Sequence, residues 1–542
     1  MSRLGALIVS TESSSAHLSC VRRLREGVRM DVRFAMRRAA GFFSGHEAVV
    51  ADDRRLTYGE AWGRGVRLAN GLIGMGLRPG DRVGVLEDNG LHASDFLLAC
   101  AIANVVRVPL YARNSPEAHA HMLGHTNARV LVVADHYAHE VKSLVDELPD
   151  LEHVLVRDDG YEAFLAEQSA EDPDVPVDPD DNYIIRHTGG TTGKAKGAAY
   201  THRQWLATAR NWFYNYPPIE IGDGCLHVGP ISHASGYFFL PIWMAGGRNI
   251  LMSAFEPGAA LTLLEQERIC YLLGVPAVLS ALVQYPGATE HDYSTLKVIC
   301  VGAAPVTDDT ALKALDVFGP VLSHAYGQTE IVPVTMINSP EWYAKVEGSN
   351  PLRSVGRPMP YTLVEIRDPE THETLPIGEE GEIAAKSDGQ ISGFWNNPEA
   401  TVERIVDGWV LTGDLGRMDE NGYVYLLDRK DDMIISGGYN IYPAELENII
   451  CEHPAVIAAA VFAIPDERWG ETPAAVCVVD DVNKVVEQEI IDLCANRLGS
   501  YKKPGKVVIQ TDPLPLSPVG KVSRKALREP YWAGRESRIS GN

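Results

Sequence analysis

The chain alternates between short apolar runs and longer stretches in which apolar residues recur every three or four positions. Between residues 30 and 360 the short runs are rich in Val, Ile, Leu and Ala, as in RVGVLED, ARVLVVAD, LKVICVGAAP and PVLSHAYG. The short runs predict buried strands, and the longer stretches predict helices. Because strand and helix take turns along the chain, the pattern predicts parallel sheets that are covered by helices on both faces.

The pattern changes between residues 355 and 427, where short strands are separated by Gly, Pro and Asn, as in VGRPMP, GEEGEIAAKS and ENGYVYLLD. This texture is typical of a small β-rich subdomain. After the charged segment DRKDD the alternation resumes, with AELENIICEHP and VVEQEIIDLCANRLG as helices and VIAAAVFAIP and ETPAAVCVVD as strands. The last part of the chain is therefore predicted to be a separate small α+β unit.

The predicted fold class is α/β. It comprises a large N-terminal domain of parallel sheets with its β-rich subdomain over residues 30–427, a hinge linker at 428–432, an α+β domain at 433–530 and a tail at 531–542. Residues 1–29 hold one weak apolar run, LGALIVS, and we expect a disordered leader there. Both Met1 and Met30 stay open as natural starts, and an ordinary surface linker stays open for residues 428–432.

Composition excludes several classes of protein. The chain has 542 residues, of which 45% are hydrophobic and 22% charged, as in globular proteins of more than one domain. Its 72 Asp and Glu outnumber 49 Lys and Arg, and a formal charge of −23 would repel nucleic acid. Eight cysteines without a CxxC pair indicate reduced thiols in a cytoplasmic protein. The most apolar run is broken by Asn104, Arg107 and Pro109, so we predict no integral membrane segment.

The segment YIIRHTGGTTGKAKG, from Tyr183, runs from an apolar strand into a loop of Gly, Thr and Lys. Such a loop can wrap its backbone N–H groups around an anion, and its hydroxyls and ammonium groups suit phosphate oxygens. It is not a Walker A loop, which would need Gly at Thr188 and Ser or Thr at Ala195. The alternative is a flexible Gly/Thr turn. The predicted phosphate-binding residues are Thr188, Gly189, Gly190, Thr191, Thr192, Gly193, Lys194 and Lys196.

This loop resembles the T-[SG]-G-T-T-G-x-P-K-G motif of the adenylate-forming superfamily, which includes acyl-CoA synthetases, adenylation domains and luciferases. His187 stands where Tyr or Phe is common, and Ala195 replaces the usual Pro, so we expect a more mobile loop. The segments VGAAPVT, HAYGQTE, WVLTGDLG, DRKDD and LPLSPVGKVSRKAL resemble further motifs of the family, in the same order. The resemblance covers residues 30–528.

The resemblance implies a nucleotide site. Small residues would admit the flat adenine, Tyr326 would stack on it, Thr329 would reach the α-phosphate, and Asp414 and Arg429 would contact the ribose. Glu330 offers a hard oxygen ligand to Mg²⁺, with the Thr188 hydroxyl as a second ligand. The implied ATP-binding residues beyond the phosphate loop are Gly302, Ala303, Ala304, Tyr326, Gly327, Gln328, Thr329, Asp414 and Arg429.

The resemblance also implies that the C-terminal domain moves between two half-reactions. Lys521 would bridge the substrate carboxylate and the α-phosphate in the first half-reaction, which makes Lys521, Thr329 and Glu330 the implied catalytic residues. Asp431 matches the pivot of the hinge. Gly437 and Gly438 would line a narrow tunnel for the thiol, where side chains would obstruct.

The acyl pocket is expected beside GPISHASGYFFLP, with His233, Gly236 and Ile331 as lining residues. Their apolar and aromatic neighbours favour a fatty, aromatic or alicyclic acid over acetate or an amino acid. The alternative interpretation of Tyr237, Phe238 and Phe239 is that they belong simply to the hydrophobic core.

The predicted function is that of an AMP-forming carboxylic acid:CoA ligase that uses ATP, Mg²⁺ and CoA. Its partners would be small molecules, and a homodimer stays open. The chain carries no extra block of the kind that obstructs domain movement in fatty acyl-AMP ligases, which favours CoA as acceptor. A stand-alone adenylation enzyme that loads a carrier protein is the main alternative, and a luciferase-like oxygenase is another. A nucleotide-binding regulatory protein without turnover could dispense with Lys521, so the presence of this lysine argues against that class.

Overall fold

The computed structural model describes residues 30–533 except 113, 143–144, 189–194, 305, 431, 437–438, 467 and 517–521. The strands are β1 Glu47–Ala51, β2 Arg54–Thr57, β3 Arg82–Leu86, β4 Val106–Pro109, β5 Val130–Ala134, β6 His153–Arg157, β7 Asn182–His187, β8 Gly197–Thr201, β9 Gly224–His227, β10 Arg248–Leu251, β11 Ile269–Gly274, β12 Val298–Gly302, β13 Leu322–Gln328, β14 Ile331–Asn338, β15 Arg357–Pro358, β16 Thr362–Arg367, β17 Gly381–Ser387, β18 Gly393–Phe394, β19 Ile405–Val406, β20 Trp409–Met418, β21 Val424–Arg429, β22 Ile434–Ser436, β23 Tyr439–Ile441, β24 Val456–Asp466, β25 Gly470–Val479 and β26 Lys506–Gln510.

The α-helices are α1 Val32–Phe42, α2 Tyr58–Gly74, α3 Leu91–Ala103, α4 Pro116–Thr126, α5 Ala138–Lys142, α6 Tyr161–Glu167, α7 His202–Phe213, α8 Gly236–Ala245, α9 Pro257–Gln266, α10 Pro276–Gln284, α11 Asp308–Phe318, α12 Pro398–Arg404, α13 Pro443–Ile450, α14 Glu487–Leu498 and α15 Arg524–Trp532. Several begin at a side-chain cap. Thr57 with Glu60, and Thr201 with Gln204, form capping boxes at the starts of α2 and α7, because these side chains satisfy N–H groups that have no partner within the helix.

Two large sheets dominate the N-terminal part. The first has the order β15-β14-β13-β12-β11-β9-β10-β1-β2, and its strands from β13 to β1 are parallel. The second has the order β18-β8-β7-β4-β3-β5-β6, and its strands from β7 to β6 are parallel. These sheets confirm the predicted α/β class with parallel sheets.

Each large sheet ends in an antiparallel hairpin that the sequence pattern did not predict. In the second sheet β7 turns back into β8, and in the first sheet β13 turns back into β14. Antiparallel neighbours can be joined by a short loop, whereas parallel neighbours need a long crossover. The loop of residues 188–196 and the turn of residues 329–330 connect these two hairpins, and β1 and β2 form a further antiparallel hairpin at the other end of the first sheet.

The largest hydrophobic cluster contains residues from both large sheets and from helices α1, α2, α3, α7 and α8. Helix α3 is buried along almost its whole length, with only His92 partly exposed. This explains why its sequence is apolar on every side although it does not enter a membrane. Within the ranges that the structure describes, no helix is both long and apolar enough to cross a bilayer.

Residues 355–427 are rich in strands, as predicted, and helix α12 lies among them. Strands β16, β17, β19, β20 and β21 form a separate sheet. Strand β15, however, pairs with β14 of the first large sheet, and β18 pairs with β8 of the second. Two strands of this stretch of chain, β15 and β18, are therefore part of the large sheets.

The C-terminal part is a small sheet with the order β23-β22-β25-β24, to which β26 adds by pairing with β25. Residues of α13 and α14 share one apolar cluster with this sheet. Residues of α15 belong to a second cluster with β24 and β25. The two helices and the long strands predicted for this region are present.

Tyr58 provides a test of the packing between the helices. Its buried hydroxyl lies 2.7 Å from the Gly247 carbonyl oxygen and 3.0 Å from that of Trp243, and the two acceptors share its one hydrogen. We expect Tyr58→Phe to lower the free energy of unfolding by about 1–2 kcal/mol, since these buried acceptors lose their shared donor. Urea unfolding followed by tryptophan fluorescence measures the loss, because the Tyr58 and Trp243 rings are 4.5 Å apart.

Tyr214→Phe is the matched control, because Tyr214 is 55% exposed. It should leave the unfolding curve unchanged. Equal curves for wild type and Tyr58→Phe would contradict the assigned hydrogen bonds.

Candidate active site

The phosphate loop connects β7 to β8. At its base the Thr188 N–H donates to the Lys196 carbonyl oxygen at 2.9 Å, which closes the hairpin next to the His187–Gly197 pair of the strands. Thr188 and Lys196 are half-buried. Six of the predicted phosphate-binding residues, Gly189, Gly190, Thr191, Thr192, Gly193 and Lys194, lie outside the described residues.

Histidines of α4 hold this hairpin, a contact that the sequence did not predict. His121 Nε2 lies 3.1 Å from the Ala195 carbonyl oxygen, and His125 Nδ1 lies 3.3 Å from His187 Nε2. Burial lowers the pKa of His187 to about 3, so this ring is neutral at physiological pH. The one signal in the sequence was the spacing of His121 and His125, which puts both rings on one face of a helix.

The Thr329–Glu330 turn connects β13 to β14. The Tyr200 hydroxyl donates to the Thr329 carbonyl oxygen at 2.6 Å, and the Ile391 N–H donates to the Glu330 carbonyl oxygen at 2.9 Å. The Glu330 side chain is buried, and one of its oxygens lies 3.9 Å from Arg404 Nε. The turn that carries both residues is therefore fixed from the second sheet and from the β-rich subdomain.

The predicted adenine-binding turn follows β12. A Cβ atom added at Gly302 would lie 2.6 Å from the Ala325 carbonyl oxygen of the neighbouring strand, so only glycine fits there. Ala303 has a φ of +71° and is exposed, and Ala304 is half-buried. A left-handed alanine costs of order 1 kcal/mol, and such strain is concentrated at ligand sites.

The sequence context of Asp414 predicted a position after a strand. The structure instead places Asp414 within β20. The strand continues because β17 and β21 flank it on both sides, and Asp414 is the direct cross-strand partner of Arg429. This register explains why the two residues stand 15 positions apart in the sequence. The two residues predicted to contact the ribose, Asp414 and Arg429, therefore lie side by side on neighbouring strands.

Three donors converge on the buried Asp414 carboxylate. The Tyr326 hydroxyl and Gln328 Nε2 each donate to it at 2.6 Å, and Arg429 Nε lies 2.6 Å away. Burial raises the pKa of Tyr326 well above its usual value, and the Asp414 carboxylate adds to the rise. The same carboxylate is the main reason that the pKa of Arg429 is raised. The orientation of the carboxylate is thus fixed by three neighbouring groups.

The predicted acyl pocket is partly core. Phe238 and Phe239 are buried and pack in aromatic contacts with Phe213 at 4.9 Å and Trp243 at 6.0 Å, respectively. An added Cβ at Gly236 would overlap the Ile231 carbonyl oxygen, so the main chain requires this glycine.

The other two predicted lining residues occupy different surroundings. The His233 ring lies 4.7 Å from the Tyr111 ring at the end of β4. Ile331 is buried beside Tyr326 in the cluster under the β-rich subdomain. The structure thus places Ile331 next to the nucleotide motifs and His233 next to the second sheet.

Several predicted residues of the C-terminal half lie outside the described residues, namely Asp431, Gly437, Gly438 and Lys521. On either side of residues 517–521, Leu516 and Val522 form an antiparallel bridge, and the Ser523 N–H donates to the Pro515 carbonyl oxygen at 2.8 Å.

A network of charges surrounds the predicted hinge. Arg524 at the start of α15 pairs with Glu447 of α13 at 2.6 Å and lies 3.4 Å from Asp432 and 3.6 Å from Asp428. Asp428 is buried and accepts a hydrogen bond from the Ala444 N–H at 2.9 Å. Burial raises the pKa of Asp428 to about 7, although Arg524 opposes the rise.

The sequence matches two family models. The model described as AMP-binding enzyme matches residues 36–395, and the model described as AMP-binding enzyme C-terminal domain matches residues 445–521. The chain is 37% identical to a feruloyl-CoA synthase of Amycolatopsis over 478 residues, which are 88% of this chain and 94% of that protein. It is 30% identical over 508 residues to the fatty acid–[acyl-carrier-protein] ligase ScoC of Streptomyces coeruleorubidus, covering 92% of this chain and 97% of the relative.

Among solved structures, the fold is similar to that of ATP-bound MatB from Rhodopseudomonas palustris, with a TM-score of 0.85. The sequences are 28% identical, and the match covers 94% of this chain and 100% of that one. Fold, hairpin loops and the Asp414 cluster together define an adenylate-forming enzyme. The chain belongs to the AMP-binding enzyme family of that superfamily, and within it this protein is an acid–thiol ligase of the AMP-forming acyl-CoA synthetase type.

Asp414→Asn tests the cluster at the ribose site. The variant removes the charge that orients Tyr326, Gln328 and Arg429, and a hydrogen bond to a charged group contributes about 1.5–3 kcal/mol. We expect KM for ATP to rise about ten- to hundredfold in a pyrophosphate-release assay.

Asp419→Asn is the matched control. Asp419 also accepts from a tyrosine hydroxyl, that of Tyr425 at 2.7 Å, but lies near the far end of β20. It should lose stability without a change in KM for ATP, and equal effects of both variants on KM would contradict the role of Asp414.

Asp428→Asn tests the charge network at the hinge. Because the pKa of Asp428 in the folded protein, about 7, lies above its ordinary value of 3.8, ionising this carboxyl costs the folded state free energy as the pH rises between those values. Asn does not titrate. The melting temperature of the variant relative to wild type should therefore increase between about pH 4 and pH 7 and change little above that range. Differential scanning calorimetry measures this, and an offset that does not change with pH would refute the shift.

Proposed function

We propose that this ligase activates a hydrophobic carboxylic acid, whether fatty, aromatic or alicyclic, as an acyl-adenylate and then transfers the acyl group to CoA. The observation that carries the proposal is the convergence of three donors on the Asp414 carboxylate. Two of these donors, Tyr326 and Gln328, lie on β13, which leads directly into the turn of residues 329–330. A nucleotide held there has its α-phosphate beside a turn that is fixed on both sides.

The chemistry requires that negative charge be neutralised at one phosphorus atom. A carboxylate attacks the α-phosphorus of ATP, pyrophosphate leaves, and the mixed anhydride makes the acyl carbon electrophilic. Because two anions meet, catalysis depends on fixed donors and in-line positioning. Thr329, the amides of the 188–196 loop and Lys521 would provide these donors.

Magnesium fits this site by the chemistry of its donors. Mg²⁺ is usually held by one or two carboxylates together with substrate phosphates. The buried Glu330 carboxylate and the Thr188 hydroxyl are hard oxygen donors of that kind. When bound, the ion would neutralise charge on the phosphates.

The acid class is supported by two observations. Ile331, which follows Glu330 directly, is buried among apolar residues. The relatives named above are named for an aromatic acid and for fatty acids. Both observations favour an apolar acyl group, and we extend that class to this chain.

The division of the chain that we propose is 30–427, 428–432 and 433–530, with Asp431 as the pivot. After adenylation the C-terminal domain would turn about this pivot. The turn would withdraw Lys521 and bring Gly437 and Gly438 to the path of the thiol.

Loading of a carrier protein is the second candidate, because ScoC is named as a carrier-protein ligase. The two acceptors are separated by offering either free CoA or a phosphopantetheinylated carrier and following thioester formation. A pyrophosphate-release screen over fatty, aromatic and alicyclic acids, with and without CoA, tests the proposal as a whole. Failure to form AMP with any acid in the presence of ATP and Mg²⁺ would refute it.

Lys521→Ala tests the division between the half-reactions. We expect loss of adenylation, by about a hundredfold or more, because the charge opposite the two anions is gone. Thioester formation from supplied acyl-adenylate and CoA should persist, since no free carboxylate takes part. Lys525→Ala, which removes an exposed lysine of α15, is the control and should leave both steps intact. Equal loss of both steps in Lys521→Ala would contradict the assigned role.

A further inference from the structure

Arg186 is a buried arginine that has no carboxylate partner in the described part of the chain. Its side chain on β7 is 1% exposed, and its Nε and Nη1 atoms donate no hydrogen bond. Two other arginines show the usual arrangement, because Arg64 pairs with Asp95 at 2.7 Å and Arg157 pairs with Glu87. Arg186 instead lies over the Tyr237 ring, 4.5 Å from its centroid.

The aromatic surroundings do not replace a counter-ion. A guanidinium stays protonated in proteins, and burying an unpaired charge costs several kcal/mol. A desolvated cation–π contact offsets only part of this, and Nε and Nη1 stay without a hydrogen bond although Tyr111 adjoins the guanidinium. An acceptor that is not part of this chain would lower the remaining cost by binding these two nitrogens.

The position of Arg186 points to the acid as that acceptor. Arg186 lies two residues before Thr188, which is the first residue after β7. Tyr111, which adjoins the guanidinium, donates to the His187 carbonyl oxygen at 2.7 Å and contacts the His233 ring. Arg186 thus lies between the phosphate hairpin and the segment that leads into α8.

Tyrosines link the guanidinium to the Thr329 turn. The Thr329 carbonyl oxygen is bound by the Tyr200 hydroxyl, Tyr200 hydrogen-bonds to Tyr237, and Arg186 lies on the Tyr237 ring. Arg186 therefore faces the rings of Tyr237 and Tyr111, on the side of the predicted acyl segment.

We propose that Arg186 determines specificity by binding an oxygen function, a second carboxylate or a carbonyl, at the end of the acid remote from the reacting carboxyl. This rests on the proposed function and narrows its substrate class to apolar acids that carry such an oxygen. A guanidinium suits the role because its fork binds a carboxylate with two parallel hydrogen bonds.

Matched pairs of acids test the inference. Octanoate is compared with octanedioate, and 3-phenylpropenoate with its 4-carboxy derivative, by pyrophosphate release with ATP and Mg²⁺. Wild type should prefer the oxygenated member of at least one pair by tenfold or more in kcat/KM. One charge-assisted hydrogen bond, at roughly 1.5–3 kcal/mol, is enough for a preference of that size. Arg186→Met should abolish this preference and leave kcat/KM for the plain member within about threefold.

Arg107→Met is the matched control. Arg107 is equally buried on the neighbouring strand β4, also leaves a nitrogen without a hydrogen bond, and lies over the Tyr183 ring at 4.7 Å. This variant should lower the melting temperature and keep the preference. If Arg186→Met does not fold, Arg186→Lys, checked by circular dichroism, should reduce the preference at least severalfold because an ammonium lacks the fork.

No preference in wild type for either pair, or an equal loss for both members in Arg186→Met, would overturn the inference. Release of AMP with the plain acids would still uphold the proposed function. The two proposals therefore fail by different observations.

Discussion

The structure of the site depends on one carboxylate. Asp414 receives Tyr326 and Gln328 from the first large sheet and Arg429 from the neighbouring strand of the small sheet. A buried carboxylate is stable only when several donors satisfy it, so these three groups must stay together. The first large sheet and the β-rich subdomain are joined at the same point, and the nucleotide motifs on each side keep a fixed distance.

The second constraint is the pair of antiparallel hairpins that adjoin the parallel strands of the two large sheets. Two parallel strands are joined by a long crossover connection, whereas two antiparallel strands can be joined by a short loop at one edge of the sheet. The hairpins at residues 188–196 and 329–330 therefore present short loops on rigid strands. Tyr200 on β8 of one hairpin donates to the turn of the other, so a hydrogen bond joins the two hairpins.

A protein with a formal charge of −23 that binds anions must place its cations individually. Among the described residues most arginines form ion pairs, as Arg524 does with Glu447. Arg107 and Arg186 depart from this pattern, since each lies over an aromatic ring and has no carboxylate partner among those residues. Of the two, Arg186 leaves two nitrogens without a hydrogen bond and lies two residues before the phosphate loop.

The sequence by itself determined the fold class and the order of the motifs, because strand–helix alternation and glycine-rich loops are local properties of the chain. Residues such as Gly302 and Thr329 could be assigned from their neighbours in the sequence. The sequence could not show that Phe238 and Phe239 pack in the core, that Asp414 lies inside a strand, or that His121 holds the phosphate hairpin. These facts depend on contacts between residues far apart in the chain. The same is true of the absence of a carboxylate partner for Arg186 among the described residues. Only the tertiary structure decides them, because burial and pairing are properties of the packed molecule.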